Sequence, residues 1–104
     1  MKDYNVIILP QAETDLDEIY NYIANTIQEP GIASNQKNRI LDQIRKLNQF
    51  PKRCPLFKSE PWYSQGLRYL IVDNYLAVYK IVEESETIAI ITIVYAKRNI
   101  FELL

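Results

Sequence analysis

Histidine is absent from this chain of 104 residues, and cysteine occurs once, at Cys54. A zinc site or a histidine-dependent catalytic triad therefore has neither ligands nor a base, and no metal or cofactor is expected. An internal disulfide has no second thiol, which fits a reducing cytosol. Cys54 lies beside Lys52 and Arg53, cations that lower a thiol pKa, but a bystander thiol is the simpler reading. Only two glycines are present, which argues against disorder or a loop-rich scaffold. Long apolar runs are missing too. The stretch from Val6 to Leu9, after Met1-Lys2-Asp3, is far too short for a signal or membrane helix, so the reading is a cytoplasmic protein without a membrane partner. No internal repeat or low-complexity tract interrupts the chain.

What remains is an ordinary globular composition, 48% hydrophobic and 24% charged. The length suits a single domain spanning residues 1–104, able to build one core unaided. The net charge of -1 hides an asymmetry: residues 1–36 carry one cation and six anions, residues 37–80 nine and three, and residues 81–104 two and four. The middle third is basic. Such a distribution creates a local positive field for an anionic partner, or is simply a solvated helix face.

Residues 67–72, 75–82 and 87–95 are rich in Ile, Val, Leu, Tyr and Thr, separated by Asp73-Asn74 and by the charged Glu83–Glu86. They read as a three-stranded antiparallel meander, with positive φ tolerated in the first turn. Arg68 and Lys80 are isolated cations on these apolar strands. Upstream, Tyr4 to Leu9 reads as a first strand of the same sheet, stopped by Pro10. From Gln11 to about Ile27, Ala12, Leu16, Ile19, Tyr20, Ile23 and Ile27 repeat at helical spacing, with acids in the first turns. Pro30-Gly31 breaks this helix. A second runs from about Ala33 to Gln49 with Ile40, Leu41, Ile44 and Leu47 on one face, and Phe50-Pro51 ends it. Residues 51–65 read as a long irregular connection, functional or poorly ordered. The whole is an α+β arrangement: an N-terminal strand, a helical hairpin, then the meander, with everything upstream covering one face of the sheet.

In this order the chain resembles the RelE/ParE superfamily of type II toxin–antitoxin toxins, over nearly its whole length. The matching pieces are the opening strand ending in Pro10, then Ala12, Asp15, Leu16 and Ile19 as A-x-x-D-L-x-x-I, followed by Tyr22-Ile23. Further on come Ile44, Leu47 and Pro51, Gly66 and Arg68 as G-x-R, Asn74-Tyr75, Val78-Tyr79, and Tyr95-Ala96-Lys97-Arg98. The resemblance implies a plasmid-stabilisation toxin neutralised by a cognate antitoxin. Its target would be DNA gyrase for a ParE-like member, with no enzymatic activity, or mRNA on the ribosome for a RelE-like endoribonuclease.

Cleavage of RNA through the ribose 2′-hydroxyl needs a proton acceptor, cations to stabilise the phosphorane, and an acid for the leaving oxygen. The residues carried over for such a site are Arg68, Lys97, Arg98 and Tyr95. Arg68 and Arg98 would stabilise charge, and Tyr95 would stack on a base or act as acid. The bland readings are a surface or salt-bridge arginine, a strand-end cap and a core tyrosine. Lys80, Trp62 and Tyr63 are further contacts with nucleic acid or target, the aromatics by stacking; as structural residues the two aromatics would pin a loop. Three features weigh toward the gyrase-directed, non-nucleolytic reading. No arginine precedes the Val78-Tyr79 pair in Tyr75-Leu76-Ala77, no histidine is available, and the sequence pI is near 5.4, low for a ribosome binder. The alternatives are the ribosome-dependent mRNA endonuclease and a toxin-fold binding protein that has lost toxicity.

Overall fold

A computed structural model of the chain describes residues 3–96. Along it follow β1 (Asn5–Ile8), α1 (Pro10–Asn21), α2 (Pro30–Arg45), β2 (Leu67–Val72), β3 (Tyr75–Val82) and β4 (Thr87–Tyr95). The three later strands have the bounds expected from their β-branched and aromatic runs. All four strands form one sheet in the order β1-β4-β3-β2. The β2–β3–β4 part is the antiparallel meander, whereas β1 lies parallel to β4 at the far edge. A mixed sheet follows, in which the first and last described strands are neighbours. The β2–β3 turn places Asp73 at φ 55°, the only positive φ of the expected Asp73-Asn74 pair.

The hairpin differs from its sequence signal at both helices. Pro10 and Pro30 open α1 and α2 rather than preceding them, since the missing proline N–H costs nothing in a first helical turn. After Asn21 the chain widens into a π-helical turn, Tyr22–Thr26, closed where Ile27 N donates to Tyr22 O at 3.1 Å. The wider turn rotates Ile27 off the apolar face. Ile27 is consequently 52% exposed, and the regular helix stops six residues early. α2 ends at Arg45, and a 3₁₀ turn at Lys46–Asn48 carries Leu47 into the core.

Both faces of the sheet are covered, against the expectation of one. Ala12, Leu16, Ile40, Ile44 and Leu47 from the helical side pack on Leu70, Val72, Ala77, Tyr79, Ile88, Ile90 and Ile93. On the opposite face Phe57 sits among Leu67, Leu76 and Val78, flanked by Trp62, Tyr69, Ile91 and Val94. The connection of residues 51–65 is thus neither loose nor purely irregular. It contains a 3₁₀ turn at Pro51–Arg53, a bridge from Leu56 to Arg68 that pairs part of the β2 edge, and the buried Phe57. It returns to β2 through Gly66, whose φ of 73° suits a residue without a Cβ.

A β-bulge changes the phase of β4. Val78 pairs with Thr92 but Tyr79 with Ile90, so Ile91 is the extra residue. Before the bulge Ile88 and Ile90 face the helices; beyond it Ile93 does. Asp15 of α1 secures this point, its Oδ2 accepting from Thr92 Oγ1 at 2.5 Å and from Ile93 N at 2.9 Å.

Candidate functional site

The antiparallel pairing of β2 and β3 sorts the cations of the meander. Arg68 lies opposite Tyr79 and Leu67 opposite Lys80, and cross-strand partners share a face. Tyr79 packs in the helix-side core and Leu67 in the other, so Arg68 and Lys80 project from opposite faces. Lys80 is exposed. They do not form one site.

Arg68 is half-buried and turned toward the segment that follows α2. Its Nη1 donates to Cys54 O at 2.6 Å and Lys52 O at 3.2 Å. Beside it the buried Tyr79 hydroxyl donates to Pro51 O at 2.6 Å. Two side chains from the sheet therefore hold three carbonyls of one short turn. Arg53 closes the other side, its Nη1 donating to Lys46 O at 3.3 Å and Gln49 O at 3.2 Å at the end of α2. Around this turn Lys46, Lys52 and Arg53 are exposed, and Lys52 Nζ lies 3.4 Å from Glu83 Oε1. This is the basic corner of the molecule.

Tyr95 stands elsewhere. It pairs with Tyr75 across β3 and β4, and their rings meet edge to face with centroids 5.7 Å apart. Tyr75 is four residues before Tyr79 on β3, about 13 Å at the usual strand rise. Arg68 and Tyr95 are thus held apart by the sheet itself. Trp62 packs into the second core, and its carbonyl accepts from Leu67 N at 3.2 Å, whereas Tyr63 is 54% exposed. Lys97 and Arg98 lie outside the described residues.

For Tyr79, Tyr75, Tyr4 and Asp73 the displaced proton affinities all lead away from neutrality. Burial pushes the Tyr79 phenol far up, with the hydrogen bond to Cys54 adding to it and the Arg68 and Arg53 charges opposing. Tyr75 is raised by burial and then by the neighbouring Tyr95 and Tyr22. Tyr4 is raised by its hydrogen bond to Glu83, and Asp73 is lowered by hydrogen bonds from Gln36 and then Arg39. None of these four is prepared to exchange a proton near pH 7. Among the described residues no group of His, Cys, Asp and Glu side chains could hold a metal ion.

Two residues of this architecture have tertiary roles that no local pattern names. The sequence places Asp15 among the acids of the first turns and in the A-x-x-D-L-x-x-I segment; the signal for its contact with β4 is a carboxylate between Ala12 and Leu16 on the buried side of an amphipathic helix. In the sequence, Phe50 marks only the end of a helix. It is 65% exposed and adopts φ 53°, ψ 51°, directly before the pinned turn.

The geometry agrees with comparisons to known proteins. Residues 6–100 match the family described as "ParE toxin of type II toxin-antitoxin system, parDE". A search of curated proteins gives no match. The chain is similar in structure to the chromosomal ParDE toxin–antitoxin system from P. aeruginosa, with a TM-score of 0.74, 23% identity, and coverage of 90% of this chain and 97% of the other. It is also similar to the toxin–antitoxin complex RelBE2 from Mycobacterium tuberculosis, with a TM-score of 0.67, 20% identity, and coverage of 93% and 97%. The isolated E. coli RelE toxin superimposes with a TM-score of 0.62 at 12% identity, covering 96% and 93%. At these identities the structural likeness establishes the fold alone. No helix among the described residues is long and apolar enough to cross a membrane.

Proposed function

The chain belongs to the ParE toxin family of type II toxin–antitoxin systems, and from that premise we propose that it arrests growth in the cytoplasm by binding DNA gyrase without cleaving RNA. A cognate antitoxin holds it inactive. The observation that carries the choice of target mode is the commitment of Arg68. Its guanidinium donates to two backbone carbonyls of the turn after α2 and lies on a different part of the sheet from Tyr95. A nuclease needs cation, base and acid converging within hydrogen-bond reach of one phosphate. In this reading Arg68 positions the basic corner rather than touching a reacting atom. The sequence pI near 5.4 supports the same choice, since affinity for RNA rests largely on phosphate contacts.

The test pairs two assays on the purified protein. Inhibition of supercoiling by gyrase, with a reporter mRNA left intact during in vitro translation, is the expected result. Cuts that appear only in translated mRNA, and vanish in Arg68→Ala or Arg98→Ala, would replace this reading with a ribosome-dependent endonuclease using Arg68, Lys97, Arg98 and Tyr95. A folded protein that neither arrests growth nor affects either assay would identify a toxin fold that has lost toxicity.

A further inference from the structure

Phe50 is the most exposed large apolar side chain among the described residues, at 65%. Its backbone is left-handed at φ 53°, ψ 51°, a conformation that favours glycine or asparagine and is an outlier for a bulky residue. Neither core packing nor backbone geometry therefore calls for phenylalanine here. The ring is nonetheless carried on a tightly held support. Tyr79 and Arg68 grip the carbonyls of Pro51, Lys52 and Cys54, Arg53 N donates to Phe50 O at 3.1 Å, and Arg53 Nη1 caps the end of the preceding helix.

We propose that Phe50 and the cations around it form a preformed contact point for an apolar pocket rimmed by carboxylates on the target protein. This rests on the reading that the chain acts by binding a protein target. Aromatic side chains and arginine are enriched in the buried core of protein interfaces. A ring presented on a fixed turn loses little freedom when it binds. The cations decide the sign of the partner. Lys46, Lys52 and Arg53 are exposed within four residues of Phe50 along the chain, and the Lys52–Glu83 pair is open to solvent and readily exchanged for a partner's carboxylate. A nucleic acid would call for a basic track with several stacking rings, whereas this corner has one ring and a few charges in a chain of net charge -1.

The experiment introduces p-benzoylphenylalanine in place of Phe50, and separately in place of Tyr63 as an exposed control, and irradiates each with purified DNA gyrase with and without DNA. Crosslinks to a gyrase subunit from position 50 and not from position 63 are expected. In parallel, Phe50→Gly should need at least tenfold more protein for half-inhibition of supercoiling while its Tm is equal to or higher than that of the parent. That combination separates contact from folding, because glycine relaxes the left-handed backbone. Lys46→Gln/Lys52→Gln should weaken inhibition in the same direction and flatten its dependence on salt.

The proposal is overturned if Phe50→Gly inhibits as well as the parent, if its Tm falls along with its activity, or if position 50 crosslinks to DNA. Growth arrest retained by Phe50→Gly with loss of antitoxin binding would also overturn it, assigning the surface to the antitoxin. If the parent protein itself leaves gyrase unaffected, the choice of gyrase fails independently, and growth arrest decides the contact: arrest lost at unchanged Tm supports it, arrest retained overturns it.

Discussion

Tyr79 shows how a single hydroxyl connects core and surface. Its ring is fully buried, and its hydroxyl donates to the Pro51 carbonyl at 2.6 Å. Tyr79→Phe keeps the ring but leaves that carbonyl unpaired, a loss of about 1–2 kcal/mol. Calorimetry should record a Tm lower by about 5–10 °C for a domain of this size. Asp73 makes a different prediction because its contribution is electrostatic. Its Oδ2 accepts from Gln36 Nε2 at 3.0 Å and Arg39 Nε at 2.9 Å, which holds its carboxyl below the usual range. A lowered folded-state value stabilises the protein fully above the ordinary carboxylate pKa of about 4, and that contribution is lost as pH falls through the depressed value. Asp73→Asn tolerates the positive φ but removes the charge. Its Tm should run below the parent's at neutral pH, approach it as pH falls below about 4, and converge only below the depressed value. At this scale the sequence was partly legible. Arg68 stood out as a lone cation on an apolar strand, but its carbonyl partners lie 14 and 16 residues away and no local pattern names them.

Among the elements, the strands of the meander were legible to the residue because period-two alternation and turn residues are local properties. The helices were legible as helices but not at their ends. Proline reads as a breaker, yet in α1 and α2 it occupies the first turn, and a π-helical turn breaks the helical phase in which the sequence places Ile27. The segment between α2 and β2 was the least legible. Its composition is that of a loop, but Phe57 is fully buried against the far face of the sheet, with its ring 4.9 Å from that of Tyr69. Phe57→Ala should cost about 3–5 kcal/mol in denaturant unfolding, as large-to-small changes in cores do. Limited proteolysis of that variant should shift to residues 51–66, since Phe57 is the centre of the cluster that anchors them.

For the molecule as a whole, membership of a toxin–antitoxin family carries a thermodynamic consequence. If a cognate antitoxin binds the folded chain and not the unfolded one, stability rises by about 2.7 kcal/mol at a free concentration one hundred times Kd. Adding the cognate antitoxin should therefore raise the Tm in a concentration-dependent way and abolish growth arrest. A Tm that does not move would show that the added protein is not its antitoxin.

By itself the sequence determined the class of the fold, the three later strands and the two helices, because alternation, helical periodicity and turn chemistry are written in neighbouring residues, and the order of its motifs carried the resemblance to the superfamily. The tertiary structure alone decided that β1 pairs in parallel with β4, that both faces of the sheet are covered, and that Arg68 and Tyr95 do not meet. It also decided that Phe50 stands in solvent on a pinned turn. These features depend on which surfaces remain apolar after the local elements have formed, and on hydrogen-bond partners distant in the chain. Burial and long-range pairing are settled by competition among all such surfaces at once, which no local stretch of residues contains.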